Sequence, residues 1–432
     1  MWIGIDDTDG PGGGCTTFVL TELLRVARAQ RVDLIGAPRL VRLNPNIPWK
    51  TRGNAALSAR FGRGRGAPTP IGELPEGPAV AHPAGGPLSK EQAEPFLTAA
   101  WEAVLRGSER GPRCDPAMAA FEAPPPASFY YDAVRSVVRI PEARSALRAG
   151  NARSWTRGSA RGLVGAIASV AWPGRRHTWE LIAYRRTPTS KRQREVDPAS
   201  VEAAARRFDS LFQCTDATTR RLLVTPHTGC PVLFGLRSAD PEVLPSAFGM
   251  IRSEPVERWI VFRTNQGTGD HIVDRRIGEV GPYEPARLSG AVASTPQVLR
   301  GGHVRFRIAE PDGSQVECWA YEPTKLLPKV ARSLSIGDAV SVWGGRGRDP
   351  AFRLEGIEVL RAPARVRGLR PPRCPGCHRA TDSLGRLRGF RCSRCRRRFP
   401  PESAETIRAP AEFGPGTYHP TPSARRHLHP VA

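Results

Sequence analysis

Gly4-Ile-Asp-Asp-Thr-Asp-Gly-Pro-Gly-Gly-Gly-Cys-Thr-Thr17 places three carboxylates, a glycine run and two hydroxyls directly after the apolar stretch Trp2 to Ile5. That stretch suits a short buried strand. Val19, Leu20, Leu23, Leu24 and Ala27 then recur at helical spacing, so the loop joins a strand to a helix start. Backbone N–H groups at such a start, with the helix dipole behind them, favour an anion. Gly12, Gly13 and Gly14 let the backbone approach a polyphosphate, and Thr16 and Thr17 stand where a phosphate would arrive. Asp6, Asp7 and Asp9 offer the hard oxygen donors that Mg²⁺ prefers. No Gly-Lys-Ser/Thr follows, so the spacing is not that of a Walker A loop, and it is not that of a dinucleotide fingerprint either. The competing reading is an acidic turn in which Thr16 or Thr17 caps the helix.

A chain of 432 residues is too long for one core and implies about three or four domains. Its 64 Lys plus Arg exceed its 41 Asp plus Glu by 23, and the excess runs from end to end, which points to a polyanionic partner such as nucleic acid. The longest apolar run, Gly162 to Trp172, is too short to span a bilayer, so no membrane is expected as a partner and a cytoplasmic location is expected. Five of the nine cysteines, Cys15, Cys114, Cys214, Cys230 and Cys318, are scattered without pairing signals.

Residues 61 to 95 and Pro124 to Pro126 read as surface loops or linkers. From Ala133 the pattern predicts strand (Val134 to Ile140), helix (Pro141 to Arg148), apolar segment (Leu163 to Trp172), strand (Trp179 to Tyr184), helix (Val201 to Phe212) and strand (Leu222 to Thr225), as in a ferredoxin-like α+β sandwich. Five strand-like runs follow, Arg287 to Val292, His303 to Ala309, Val316 to Tyr321, Ala339 to Trp343 and Phe352 to Leu360. A helical stretch, Thr324 to Leu334, lies between the third and fourth, where an OB-fold carries its helix. Arg287, His303, Arg305, Arg307, Trp319 and Trp343 mix charge and aromatic faces as single-stranded nucleic-acid platforms do. Cys374-Pro-Gly-Cys377 and Cys392-Ser-Arg-Cys395 form two knuckles that close a four-thiolate, structural Zn²⁺ site. Arg373, Arg379, Arg386, Arg388, Arg391, Arg394, Arg396, Arg397 and Arg398 surround it, a density suited to phosphates.

With these segments in hand, the sequence resembles the archaeal tRNA 2-agmatinylcytidine synthetases, which modify the wobble cytidine of an isoleucine tRNA. The resemblance is carried by Gly4-Ile-Asp-Asp-Thr-Asp9 with Cys15-Thr-Thr17, Arg39-Leu-Val-Arg-Leu-Asn-Pro-Asn-Ile-Pro-Trp-Lys-Thr-Arg-Gly-Asn54 and Arg161-Gly-Leu-Val-Gly-Ala166. It continues through Thr225-Pro-His227, Pro231-Val-Leu-Phe-Gly-Leu-Arg237, Glu257-Arg-Trp-Ile-Val-Phe-Arg-Thr-Asn-Gln-Gly267, Ala320-Tyr-Glu-Pro323, the ribbon and Ser423-Ala-Arg-Arg-His-Leu428. It implies a multidomain α+β chain: a kinase-like ATP-binding α/β domain at 1–128, a ferredoxin-like domain at 129–275, an OB-fold β-barrel at 276–365, a zinc ribbon at 366–402 and a basic tail at 403–432.

The implied reaction splits ATP to AMP, pyrophosphate and phosphate, phosphorylates the cytosine 2-carbonyl oxygen, and lets agmatine displace that phosphate. The agmatidine so formed on the CAU-anticodon tRNA pairs with adenine, so that AUA is read. On this resemblance Asp6, Asp7 and Asp9 hold Mg²⁺ on ATP, Thr16 aligns with the threonine the family phosphorylates on itself, and Lys50 and Arg52 neutralise phosphate or contact RNA backbone. Arg161 and Gly162 form a second glycine-bearing turn facing the first, although packing of Gly162 and Gly165 explains that turn equally. His227 bonds phosphate or caps a turn, and Glu180 and Asp216 are candidates for the dication agmatine. Deleting 370–432 is expected to weaken tRNA binding and spare ATP binding. Two other readings remain: a non-catalytic RNA-binding protein, and a metal-dependent phosphoesterase acting on RNA.

Overall fold

The computed structural model describes residues 1–50, 53–111, 113–186 and 193–431. Strand Trp2–Asp6 is central because Ile3 and Ile5 are fully buried and both edges are paired, with Ala55–Arg65 on one side and Ala117–Phe121 on the other. Helix Thr16–Ala29 follows the loop and buries Val19, Leu20, Leu23, Leu24 and Ala27, against Phe96, Leu97, Ala100 and Val104 of helix Lys90–Gly107. The opposite face carries helix Gly162–Ala171. Gly4 lies beneath it, where a Cβ would strike the Ala166 carbonyl.

Strand Arg39–Arg42 joins the first unit to the next, pairing antiparallel with Ala55–Arg65 and in parallel with Val256–Thr264. One sheet therefore runs through both units. Its far half is antiparallel, Val232–Ser238 against Thr178–Arg185 against Val256–Thr264, covered by helices Pro198–Arg207 and Val243–Met250.

Several local expectations are corrected. Val134 ends helix Ala127–Arg135 rather than starting a strand, because Tyr130, Ala133 and Val134 lie at helical spacing and bury against Ala168, Ala171 and Trp172. Pro198 follows the Asp197 cap, whose carboxylate accepts from Ala199 N at 2.9 Å, and that helix stops at Arg207. In 222–225, only Leu222 belongs to a strand, the two-residue Arg221–Leu222. The Gly/Pro-rich stretch is not a linker: Ala55–Arg65, Thr69–Leu74, Gly77–Ala81 and Ala84–Gly86 are paired strands. Gly72 permits this, since a side chain there would hit Trp259 O on the neighbouring strand.

Strands Pro285–Val292, Val304–Ala309, Gln315–Ala320, Ala339–Arg346 and Phe352–Arg361 form a five-stranded barrel. Two pairings close it, Ala291 with Ala309 and, in parallel, Cys318 with Phe352. Helix Leu326–Ser333 buries Leu327, Val330 and Ala331 against its core. The ribbon follows as Thr381–Ser383, Phe390–Cys392 and Arg398–Phe399, on a two-stranded stalk of Arg365–Arg370 and Glu405–Ala409. Gly416–Tyr418 returns to the barrel. Among the described residues, no helix is long and apolar enough to cross a membrane.

Candidate active site

Strand Trp2–Asp6 ends at a cavity of about 180 Å³ lined by Asp6, Asp7, Asp9, Thr16, Thr17, Lys50, Arg161 and Gly162. Asp7 turns the chain there with a φ of 57°, a left-handed conformation that Asp tolerates better than most residues. Burial pushes Asp6 well above the usual carboxylate range, and Asp7 and Asp9 push it further. Burial, Asp115 and Asp9 raise Asp7 to about 7, with Arg161 opposing them. Three crowded carboxylates, Asp6 and Asp7 among them with raised proton affinity, form a site that gains from a divalent cation, and their oxygen donors fit Mg²⁺.

The second glycine turn explains how the acids are held so close. A Cβ on Gly162 would lie 3.1 Å from Asp7 Cβ and 2.7 Å from Asp115 O, and one on Gly165 would run into the Asp6 carboxylate. Gly165→Ala is therefore expected to displace Asp6, cutting turnover about tenfold or more and stability by about 1–3 kcal/mol. Thermal melting and ATP turnover check this; unchanged turnover contradicts it. The first glycine run differs from expectation. Gly10 and Gly13 exchange backbone hydrogen bonds at 2.9 and 3.2 Å, while Gly10, Gly12 and Gly14 press on the side chain of Glu109. Close packing on Glu109 thus accounts for glycine at 12, whereas Gly14 turns with a φ of 77° and a Cβ there would lie 2.7 Å from Thr8 O; Gly13 faces Gly229 O at 3.9 Å.

Neither threonine caps the helix. Cys15 is the N-cap and has no side-chain cap bond, and the first turn holds no acidic residue. Thr16, only 6% exposed, accepts from Thr8 Oγ1 at 3.0 Å. Thr17 lies 3.0 Å from Cys15 Sγ. Lys50 donates to Pro45 O; burial and then Arg426 bring its ammonium down to about 8 against the pull of Glu355. Arg52 lies outside the described residues. Arg161 lies 4.4 Å from the ring centre of Trp49, an aromatic that the sequence shows only as part of the 39–54 stretch, with no role attached, and that lines the same cavity.

A second cavity of about 430 Å³ shares Cys15, Thr17, Arg42 and Gly53 with the first and holds His227, Arg221, Arg237, Arg425 and His427. His227 is taken up by Arg221, which donates to its Nε2 at 2.8 Å. Glu180 lies 3.6 Å from Arg42 and 3.1 Å from Arg237. Asp216 accepts from Thr218 N, Thr219 N and Ser423 N; burial raises it, yet these bonds outweigh burial and hold it at about 2. Both agmatine candidates are therefore engaged within the protein.

The four ribbon thiolates converge within 4.8 Å, with Sγ–Sγ distances of 3.4 Å for Cys374–Cys395 and 3.3 Å for Cys377–Cys392. Tetrahedral Zn²⁺ with bonds near 2.3 Å requires about 3.8 Å, so the set fits after a small expansion. On the barrel, Trp319 and Tyr321 stack with ring centres 5.9 Å apart, and Arg305 lies opposite Trp319 on the neighbouring strand. Trp343 does not join them: it is 1% exposed, beneath Arg287.

Matches to known proteins run the length of the chain. Family models for the TiaS TCKD domain, the TiaS FLD domain and the TiaS C-terminal zinc ribbon domain match residues 2–158, 160–271 and 371–410. The isoleucine-tRNA 2-agmatinylcytidine synthetase TiaS of Archaeoglobus fulgidus is 34% identical, over 99% of this chain and 96% of its own. That of Methanopyrus kandleri is 35% identical, over 99% and 95%. The crystal structure of TiaS in complex with its isoleucine tRNA and ATP superposes with a TM-score of 0.81 at 30% identity, covering 99% of this chain and 95% of that one. The complex of TiaS with the same tRNA, AMPCPP and agmatine gives 0.79 at 28%, covering 99% and 96%. With the acidic loop, the shared sheet, the barrel and the four-thiolate ribbon in the same order from end to end, the chain belongs to the TiaS family of isoleucine-tRNA 2-agmatinylcytidine synthetases.

Proposed function

We propose that this chain joins agmatine to C2 of the wobble cytidine of the CAU-anticodon isoleucine tRNA, consuming ATP and passing through a phosphorylated cytidine. The observation that carries this reading is the convergence of Asp6, Asp7, Asp9, Thr16, Lys50 and Arg161 on one cavity, in a chain whose solved relatives include complexes with an isoleucine tRNA, ATP, AMPCPP and agmatine.

A ring carbonyl oxygen leaves poorly toward an amine until phosphate is attached to it, and phosphoryl transfer asks mainly for positioning and charge neutralisation. Asp6, Asp7 and Asp9 are the residues to hold Mg²⁺, which when bound neutralises phosphate charge. Lys50 and Arg161 supply fixed positive charge to the phosphates, with Arg52 as a further candidate from the sequence. Thr16, hydrogen-bonded to Thr8, presents its hydroxyl to the same space. The target base must leave its stack, and Trp49 offers an aromatic face at the cavity. Glu180 lines the second cavity but is paired with Arg42 and Arg237, and Asp216 is held by Ser423, so neither carboxylate stands free for agmatine. The barrel and the arginine-rich ribbon fix the tRNA body in the cytoplasm, where decoding takes place.

Product analysis tests the reaction class. AMP release is expected only when tRNA and agmatine are both present with ATP. ATP-independent cleavage of RNA would favour a phosphoesterase, and no ATP turnover under any combination would favour a non-catalytic RNA-binding protein.

A further inference from the structure

Residues 421–431 thread between all three larger units. Thr421 N donates to Thr324 O of the barrel at 3.4 Å, and Ser423 N to Asp216 at 3.0 Å. Gly267 N and Gly269 N donate to the His427 and Leu428 carbonyls at 2.8 and 2.9 Å. The segment is thus a built part of the fold, and it brings Ser423, Arg425 and His427 to the second cavity.

Arg426 has two partners from different units. Its Nη1 donates to Asn46 Oδ1 at 2.7 Å, and its Nε lies 3.2 Å from Glu355 Oε1. Asn46 sits in the loop that carries Trp49 and Lys50 to the cavity, and its own N donates to Asn44 Oδ1 at 2.9 Å. Glu355 stands on barrel strand Phe352–Arg361, 6% exposed, with its other oxygen 3.0 Å from His271 Nε2. Lys50 Nζ donates to Pro45 O, the residue before Asn46, so its ammonium stands on the same turn that Arg426 grips.

A buried carboxylate stripped of its counter-charge is costly and draws whatever cation can reach it. Lysine, a point charge on a four-carbon stem, reaches readily. We propose that Arg426 is a positioning residue for the phosphoryl-transfer step. By occupying Glu355 it keeps that carboxylate from drawing Lys50 out of the cavity, and the bond to Asn46 holds the Arg426 guanidinium in place over Glu355. This rests on the reading of Lys50 as a phosphate-neutralising group.

The test uses full-length variants, with agmatine conjugation and tRNA affinity measured in parallel. Arg426→Gln is expected to lower kcat about tenfold or more while tRNA affinity stays within about twofold. Adding Glu355→Gln to that variant removes the competing carboxylate and is expected to return the rate to within about threefold of the parent. A contact that served stability alone would be relieved by the second change too, so the melting temperature is read alongside: with Lys50 taking over Glu355 it is expected to hold in Arg426→Gln while the rate falls. A melting temperature that falls and recovers together with the rate, or a double variant no faster than Arg426→Gln, overturns the proposal. Arg426→Lys, which keeps a cation on Glu355, is expected to retain at least about a third of the rate; a loss as deep as that of Arg426→Gln also overturns it. Lys50→Met separates the two layers. Full activity there refutes the Lys50 reading and this inference together, whereas an inactive Lys50→Met beside an unrescued double variant refutes the inference alone.

Discussion

Asp7→Asn is expected to stop ATP cleavage, lowering turnover by about a thousandfold or more, while tRNA affinity stays within about twofold. The substitution keeps shape and tolerates the left-handed backbone at 57°, because Asn, like Asp, visits that region. What it removes is one of three charges arranged around the cavity. The same change is expected to leave the fold as stable or more so. Burial, Asp115 and Asp9 raise Asp7 to about 7, so its ionised form works against folding at any pH above the ordinary carboxylate range, and a neutral amide relieves that. A melting temperature that holds or rises together with lost turnover is the signature of a site kept strained for its chemistry. Retained turnover contradicts the metal assignment. ATP products by chromatography, tRNA binding by filter retention and a thermal melt measure the three quantities.

Replacing residues 371–404 by a short turn is the second large effect. Arg370 and Glu405 are paired neighbours at the end of the stalk, so the excision rejoins two adjacent strands. It removes the thiolate site and Arg373, Arg379, Arg386, Arg388, Arg391, Arg394, Arg396, Arg397 and Arg398. Without these cations to hold phosphates, tRNA affinity at physiological salt is expected to fall by about a hundredfold or more and its salt dependence to flatten. ATP binding should persist. The sequence alone suggests deleting 370–432, but that cut also removes residues 421–431, which line the second cavity and engage Asn46, Asp216 and Glu355. The longer deletion is therefore expected to damage catalysis as well as tRNA binding. Equal tRNA affinity with and without the ribbon contradicts its proposed role.

How far the sequence can be read follows from what each feature depends on. The acidic loop, the thiolate knuckles and the barrel strands declare themselves locally, through residue type at short spacing, and the structure places Asp6, Asp7, Asp9, Thr16, Thr17, Lys50, Arg161 and Gly162 around one cavity. Glycine is harder to read, because one residue type serves several ends. Gly12 meets Glu109, Gly14 makes a left-handed turn over Thr8, Gly165 makes room for Asp6, and Gly72 admits a neighbouring strand. Each of these partners is remote in sequence or hidden by a turn. The same holds for ion pairs: Glu180 looks available for a dication until Arg42 and Arg237 are seen beside it. The role of Arg426 has no local signal at all, since Asn46 and Glu355 stand 380 and 71 positions away. Val134 misleads because it closes one helix, Val137 and Val138 lie in the connection and Ile140 opens the next helix, so apolar residues of two helices and their link read as one strand.

Mass spectrometry of the wobble nucleoside, from a CAU-anticodon isoleucine tRNA transcript incubated with the protein, ATP, Mg²⁺ and agmatine, tests the central claim most directly. A mass gain of agmatine minus water on that cytidine is expected. An unmodified transcript that nevertheless binds the protein tightly would contradict it.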